Sequence, residues 1–270
     1  MPRSTAHIPR LAALLLSLPS LAQAGAWTPK EGTAYHKYAA NTFDSDSSFG
    51  QEQAGFEEFT DRNLTYYVEY GIRDDLAFIA SIPYKSLTRT DNGFRTETSG
   101  FGDVDIGLRY NFDTDPVVFS AQLLFKAPYL YDEDEPLPLG NGQEDVEFRL
   151  QLGKSLGKRG YFNVEAGYRY RADAPADEYR YLLEYGGDVT ERFYLRGKLD
   201  GIAAAGSSSA PPPQLGNPAL PLEFDLGRLE TTAGLRFGRN WAWELTAVTS
   251  VYGSNSLRGV NYQLALVYIN

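Results

Sequence analysis

The titratable side chains of this sequence alternate along short segments instead of clustering as catalytic groups do. Asp145, Glu147 and Arg149 occupy every second position of one segment, and Glu165, Arg169 and Arg171 share one face of the next. Side chains at positions i and i+2 of a strand point to the same face of a sheet. Acids and bases on one face of neighbouring strands can form ion pairs. The chemistry expected of them is therefore charge pairing, or the lining of a polar path.

The sequence contains no recognisable catalytic motif. The only histidines are His7 and His36, and the sequence has neither a Gly-x-Ser-x-Gly elbow nor a His-Glu-x-x-His motif. Carboxylates are abundant, but nothing singles out a pair for acid–base work. The consecutive acids 132–135 lack the spaced ligands of a calcium loop, so a solvated loop is the better interpretation. We expect no enzyme activity, no cofactor and no metal site.

The first 24 residues predict a cleaved secretory signal. Arg3 and Arg10 precede an apolar run at 11–21, and Ala22-Gln23-Ala24 is a small-x-small cleavage site. The run is shorter than the roughly 20 residues that a spanning helix needs, which disfavours a membrane anchor. The mature chain is expected to begin at Gly25 and to form one domain over residues 25–270.

Period-two alternation continues through the rest of the chain and predicts about 12 strands. An all-β domain is expected because no segment has the periodicity of a long amphipathic helix. The predicted strands are residues 33–42, 60–72, 75–87, 101–112, 117–130, 143–156, 160–172, 178–190, 192–205, 222–237, 240–252 and 257–269.

Tight turns alternate with mostly longer connections between these strands. This arrangement, with 19 tyrosines, is typical of a transmembrane antiparallel up-and-down β-barrel with short periplasmic turns, longer external loops and aromatic girdles. A soluble β-sandwich also alternates, but its loops do not sort by length so regularly. The tight turns are 73–75, 113–116, 157–159, 190–192 and 238–240, and the other connections are 43–55, 88–100, 131–142, 173–177, 206–221 and 253–256. The Ser- and Pro-rich 206–221 connection is predicted to be either a lid or a mobile loop.

Inward positions of the predicted barrel carry charges of both signs. Pairing residues symmetrically about each tight turn places opposite charges side by side, so the lumen is expected to be narrow and close to neutral. Such ladders of paired charges either satisfy the polar groups inside the barrel and fix its register, or line a solute path. The candidate lumen residues are Asp103, Asp105, Arg109, Lys126, Asp145, Glu147, Arg149, Glu165, Arg169, Arg171, Arg180, Glu184, Arg196, Asp200, Arg236 and Glu244. The predicted pairs are Glu147–Arg169, Asp145–Arg171, Asp103–Lys126, Glu184–Arg196, Arg180–Asp200 and Arg236–Glu244.

Four stretches of the sequence stand out, namely Gly25-Ala26-Trp27 with Glu31-Gly32, 100–110, 140–147 and 165–171. They resemble the outer-membrane family named for the meta-pathway of phenol degradation. The resemblance implies an outer-membrane barrel that passes small, often hydrophobic or aromatic compounds, and it carries no set of functional residues. About eight residues precede the first strand, and we expect them to be too few for an N-terminal plug.

Two functions are compatible with these features. The first is an outer-membrane channel for passive uptake or release of small solutes, and the alternative is a non-conducting barrel that acts as a scaffold or surface-interaction protein. The expected location is the bacterial outer membrane, and the expected partners are its lipids, lipopolysaccharide and the barrel-assembly machinery. The net charge of −10, with both signs interspersed, disfavours nucleic-acid binding.

Overall fold

The computed structural model describes residues 25–50, 56–173, 175–208 and 216–270, and these residues form a single large antiparallel sheet. The predicted signal peptide lies outside the described residues. The strands are β1 (Ala34–Ser48), β2 (Glu58–Arg73), β3 (Leu76–Asp91), β4 (Phe94–Phe101), β5 (Val104–Asp113), β6 (Val118–Ala127), β7 (Asp145–Ser155), β8 (Tyr161–Arg171), β9 (Asp177–Asp188), β10 (Phe193–Ala205), β11 (Asp225–Phe237), β12 (Trp241–Ser254) and β13 (Leu257–Ile269).

The sheet closes on itself and confirms the predicted all-β barrel. Strand β1 pairs with β2 on one side and with β13 on the other, and each remaining barrel strand pairs with its neighbours along the chain. The result is a closed ring of 12 antiparallel strands with one additional strand, β4. Closure leaves no free edge in the ring, which satisfies the backbone hydrogen bonds of every barrel strand.

The additional strand corrects the predicted loop at 88–100. Strand β3 continues to Asp91 and turns back through Asn92-Gly93 into β4, which pairs with β3 alone among the described strands. Both turn residues have positive φ, 49° and 76°, as a two-residue hairpin turn requires. The Asn-Gly dipeptide is the sequence signal for this hairpin, which was predicted as part of a loop.

Polarity is inverted relative to a soluble protein. On β7 the outward Phe148 is 49% exposed while the inward Glu147 is 1% exposed. The neighbouring positions repeat this pattern, with outward Val146 and Leu150 exposed and inward Gln151 buried. A sheet with an apolar outside and a polar inside is stable only where the outside is shielded from water, as in a lipid bilayer. Among the described residues no helix is long and apolar enough to cross a membrane.

The two ends of the barrel differ in their connections. Five tight connections, 74–75, 114–117, 156–160, 189–192 and 238–240, lie at one end, called here the turn end. The opposite end, called here the loop end, carries the longer segments 49–57, 128–144 and 206–224. The predicted bulge near Gly227 is present, as a register shift between Gly227 and Arg228. It restores the phase of β11, which the sequence pattern alone left irregular.

Apolar side chains also pack inside the loop end. Leu137 and Leu139 of the 128–144 segment are buried against Phe59, Leu87 and Leu257 of the barrel wall. This group, with Phe56, is called here the lid cluster. It is the largest apolar core inside a barrel whose other buried side chains are mostly polar.

Candidate functional site: a polar lumen lined by ion pairs

The barrel encloses a cavity of about 730 Å³. Its wall is built from inward positions of the strands and includes charged residues such as Arg149 and Asp200. Apolar residues, including Phe43 and Phe59, line it toward the loop end. A volume of this order falls within the range that holds a small organic ligand.

A network of ten charged residues covers the wall from β5 to β9. Arg169 Nε lies 2.7 Å from Glu147 Oε2, and Arg149 Nη1 lies 2.8 Å from Glu165 Oε2. Each anion contacts at least one cation, so the desolvation cost of burial is offset by pairing. Its five cations and five anions are Lys126, Arg149, Arg169, Arg171, Arg180, Asp103, Asp145, Glu147, Glu165 and Glu178.

A second network and three isolated pairs complete the lumen charges. In the second network Arg196 contacts Glu184, Glu230 and Glu244, Lys37 contacts Glu244, and Lys198 contacts Glu230. This network has three cations and three anions and is therefore neutral. The isolated pairs are Arg109–Glu69, Arg228–Asp200 and Lys85–Asp61.

Asp105 is the exception among these lumen charges. Within the described residues it forms no ion pair, and its buried Oδ1 atom has no hydrogen-bond partner. Its neighbour across the β5–β6 ladder is Lys126, but that ammonium binds Asp103 at 3.4 Å and Asp145 at 3.1 Å. Lys126 also donates to Asn141 Oδ1 at 3.0 Å, so its three N–H groups are used.

The structure contains some of the predicted charge pairs and corrects others. Glu147–Arg169 is in register and paired, Asp103–Lys126 is paired, and Glu184–Arg196 contacts at 3.9 Å. Asp145–Arg171 is in register, but Arg171 pairs with Glu178. The predicted Arg180–Asp200 and Arg236–Glu244 pairs are wrong. Asp200 pairs with Arg228, and Arg236 pairs with Asp188 at the turn end.

The wrong pairs follow from misplaced turn centres. The β9–β10 hairpin is symmetric about Glu191, one residue beyond the predicted centre Thr190. The β11–β12 hairpin is symmetric about Arg239 instead of Asn240. A shift of one residue in the centre moves every cross-strand partner by two positions.

Seven of the predicted lumen residues line the cavity directly, and the rest lie in the surrounding networks or at the turn end. Those in the cavity lining are Asp105, Arg109, Arg149, Glu165, Glu184, Arg196 and Asp200. Eight further charged residues point into the lumen that were not among the predicted ones. These are Lys37, Asp61, Glu69, Lys85, Glu178, Lys198, Arg228 and Glu230.

An uncharged polar strip lies on β13, β1 and β2. Asn41 donates to Asn63 Oδ1 at 2.8 Å and accepts from Gln263 at 2.8 Å, and Thr65 donates to Asn63 Oδ1 at 3.0 Å. All four residues line the cavity. Amides at alternate positions of the predicted strands were the signal for this strip, which the charge-based prediction overlooked.

The N-terminal segment enters the lumen from the turn end, which corrects the expectation that it is too short to plug the barrel. Ala26 is fully buried, donates to Asn163 Oδ1 at 3.2 Å and accepts from Ser120 Oγ at 2.7 Å. The Trp27 carbonyl accepts from Arg109 at 2.9 Å. The Trp27 ring lies over Gly153, where a Cβ atom would come within 2.6 Å of it.

The loop end is covered by two segments. In addition to the lid cluster, Tyr131 donates to Asp103 Oδ1 at 2.6 Å, and Lys85 donates to the Leu139 carbonyl at 3.4 Å. Asn217 of the second segment donates to the Pro138 carbonyl at 2.9 Å. Ala219 also lines the cavity. Residues 209–215 of the predicted 206–221 lid lie outside the described residues.

His36 faces outward and lies in a row of aromatic rings. It stacks between Tyr66 and Tyr268, and its Nδ1 atom lies 2.8 Å from the Tyr66 hydroxyl. Trp241 continues the row, with its ring centroid 4.4 Å from that of Tyr268. Amphipathic rings in such a band are typical of a lipid–water interface.

Solved outer-membrane channels share this fold. The COG4313 outer membrane channel from Pseudomonas putida F1 superimposes with a TM-score of 0.72 and 15% identity, over 91% of this chain and 98% of that one. The NanC porin superimposes with a TM-score of 0.55 and 10% identity, over 86% of this chain and 98% of that one. The KdgM porin superimposes with a TM-score of 0.52 and 5% identity, over 87% and 98%. At these identities the likeness establishes the fold of outer-membrane β-barrel channels.

No protein-family model and no curated protein matches the sequence. The resemblance to the meta-pathway family therefore has no support from a family match.

Proposed function

We propose that the chain is an outer-membrane channel for passive movement of small solutes. The loop end would face the outside of the cell and the turn end the periplasm. The observation that carries the proposal is the closed barrel with an apolar exterior and a polar lumen around a cavity of about 730 Å³. The shared fold with outer-membrane channels supports it.

The cavity lining favours a small solute with both apolar and polar parts. Phe43, Phe59 and Leu226 supply apolar contact toward the loop end, and the amide strip around Asn41 supplies neutral hydrogen-bonding groups. Two neutral ion-pair networks do not form a ring of one sign. The solute class proposed is therefore a hydrophobic or aromatic compound with a polar substituent.

A second candidate function is a closed barrel that acts as a scaffold or surface-interaction protein. The observation that favours it is that segments pack inside both ends, Ala26 and Trp27 at the turn end and Leu137 and Leu139 at the loop end. The channel proposal requires these segments to move, whereas the scaffold proposal requires them to stay.

The partners follow from the outer surface. A band of exposed aromatic and aliphatic side chains, including Trp243 and Tyr262, fits membrane lipid and the lipid part of lipopolysaccharide. Strand β13 presents Tyr262 and Leu264 outward, the kind of terminal strand that the barrel-assembly machinery is proposed to receive during insertion.

Liposome swelling separates the two functions. Purified protein in liposomes is tested with glucose and with phenyl glucoside, alongside a variant lacking residues 206–221. A channel admits phenyl glucoside, and the shortened variant admits both solutes faster. If neither protein makes the liposomes swell with either solute, although heat-modifiable migration on gels shows that both barrels are folded, the scaffold function would be supported.

A further inference from the structure

Among the described lumen residues, one carboxylate stands outside the ion-pair networks. The ten-residue network is neutral, the six-residue network around Arg196 is neutral, and the pairs Arg109–Glu69, Arg228–Asp200 and Lys85–Asp61 are neutral. Asp105 belongs to none of them and lines the cavity. The wall of the cavity therefore carries a surplus of one carboxylate.

Two arginines face Asp105, and both are in contact with other carboxylates. Arg169 contacts Asp145 and Glu147, and Arg180 contacts Glu147 and Glu178. Lys126, directly across the ladder, has its three N–H groups committed to Asp103, Asp145 and Asn141. On the other side of Asp105 the ladder partner is Ser81, which is uncharged. A buried carboxylate without a partner is costly, so such positions in native proteins ordinarily serve an external ligand or a mechanism.

Apolar side chains adjoin this carboxylate. Two residues further along the same strands, Ile79 and Leu124 flank Gly107 in the ladder, and both line the cavity. A ligand that reaches Asp105 therefore also meets an apolar wall. A small apolar molecule with one cationic, hydrogen-bond-donating group matches both the carboxylate and the apolar wall.

We propose that Asp105 is a solute-recognition residue, which binds the ammonium group of a small amphipathic organic cation inside the lumen. The ammonium takes the place of the missing internal cation, and the apolar body packs against Ile79 and Leu124. This assignment deepens the proposed channel function and rests on it for its biological role. The binding itself does not require conduction.

The test is calorimetric binding of benzylammonium to the purified full-length mature protein in a maltoside detergent. Benzyl alcohol, which has the same ring and no charge, is the matched probe. We expect benzylammonium to bind, Asp105→Asn to weaken its binding by about tenfold or more, and Asp105→Glu to retain most of it. The control Asp132→Asn removes the same charge from the exposed 128–144 loop and should have no effect.

A second readout is ion selectivity in planar bilayers under a KCl gradient. With one uncompensated carboxylate in the lumen, the wild type should favour K⁺ over Cl⁻, and Asp105→Asn should bring the permeability ratio to about one. Equal binding of benzylammonium to the wild type and to a folded Asp105→Asn variant would overturn the site. Absence of current from every protein, with charge-dependent binding intact, would instead overturn the channel and leave the site.

Discussion

The Trp27 and Tyr161 rings meet edge to face, with centroids 5.6 Å apart and planes at 86°. This contact fixes the N-terminal segment inside the turn end of the barrel. Gly153 leaves the space that the Trp27 ring occupies. The segment narrows the turn end because a bulky ring fills a position where the wall has no side chain.

Loosening this closure should raise conductance. Trp27→Ala removes the ring that packs on Tyr161 and Gly153, so the N-terminal segment should leave the lumen and the current through a single barrel should increase. Gly153→Val should act in the same direction, because its side chain would collide with Trp27. Planar-bilayer recordings give the result, with the outward-facing Trp243→Ala as the control. Unchanged current in both variants would show that the segment does not restrict the path.

The Glu147–Arg169 pair should be energetically coupled. Glu147 contacts Arg149, Arg169 and Arg180, so Glu147→Ala leaves three arginines short of a partner. A double-mutant cycle with Arg169→Ala should give a coupling energy of about 0.5 to 3 kcal/mol, measured by reversible urea unfolding in detergent. Glu147→Ala should destabilise the barrel more than the double variant does. Additive effects would be inconsistent with the contact.

Strand number and facing could be predicted from the sequence because a barrel strand exposes a different polarity on each side. The alternation of Glu147 with Phe148 was enough to place one inside and the other outside. The Glu147–Arg169 partnership also followed, since the β7–β8 turn is symmetric about Lys158. Local sequence patterns were thus sufficient to predict the barrel and one of its cross-strand charge pairs.

Contacts that depend on the exact turn geometry, or that join residues far apart in the sequence, could not be predicted. The Arg236–Glu244 pairing failed because the 238–240 turn is symmetric about Arg239 and not about the predicted centre Asn240. The contact of Arg180 with Glu147 crosses β8, and no pairing about a single hairpin contains it. The lumen position of Trp27 depends on Gly153, which is distant in sequence.

The closure at the loop end should be sensitive to alkaline pH through Tyr131. Burial, together with the hydrogen bond to Asp103, raises the pKa of the Tyr131 hydroxyl above its usual range. The neutral hydroxyl therefore stabilises the closed loop fully below pH of about 10, and this stabilisation is lost as the pH rises through the raised pKa. Current recorded between pH 8 and 11 should rise in the wild type. In Tyr131→Phe it should already be higher at pH 8 and should change less. Identical profiles for the two proteins would exclude Tyr131 as the cause.

The central claim is that a continuous polar lumen is closed by two local structures, and single-channel conductance tests it most directly. The comparison is between the wild type and a Trp27→Ala, Leu137→Asp double variant, which loosens both ends while leaving the strands intact. We predict discrete current steps from the wild type and clearly larger steps from the double variant, with unchanged β-sheet circular dichroism. Silence from a correctly folded double variant would contradict the claim.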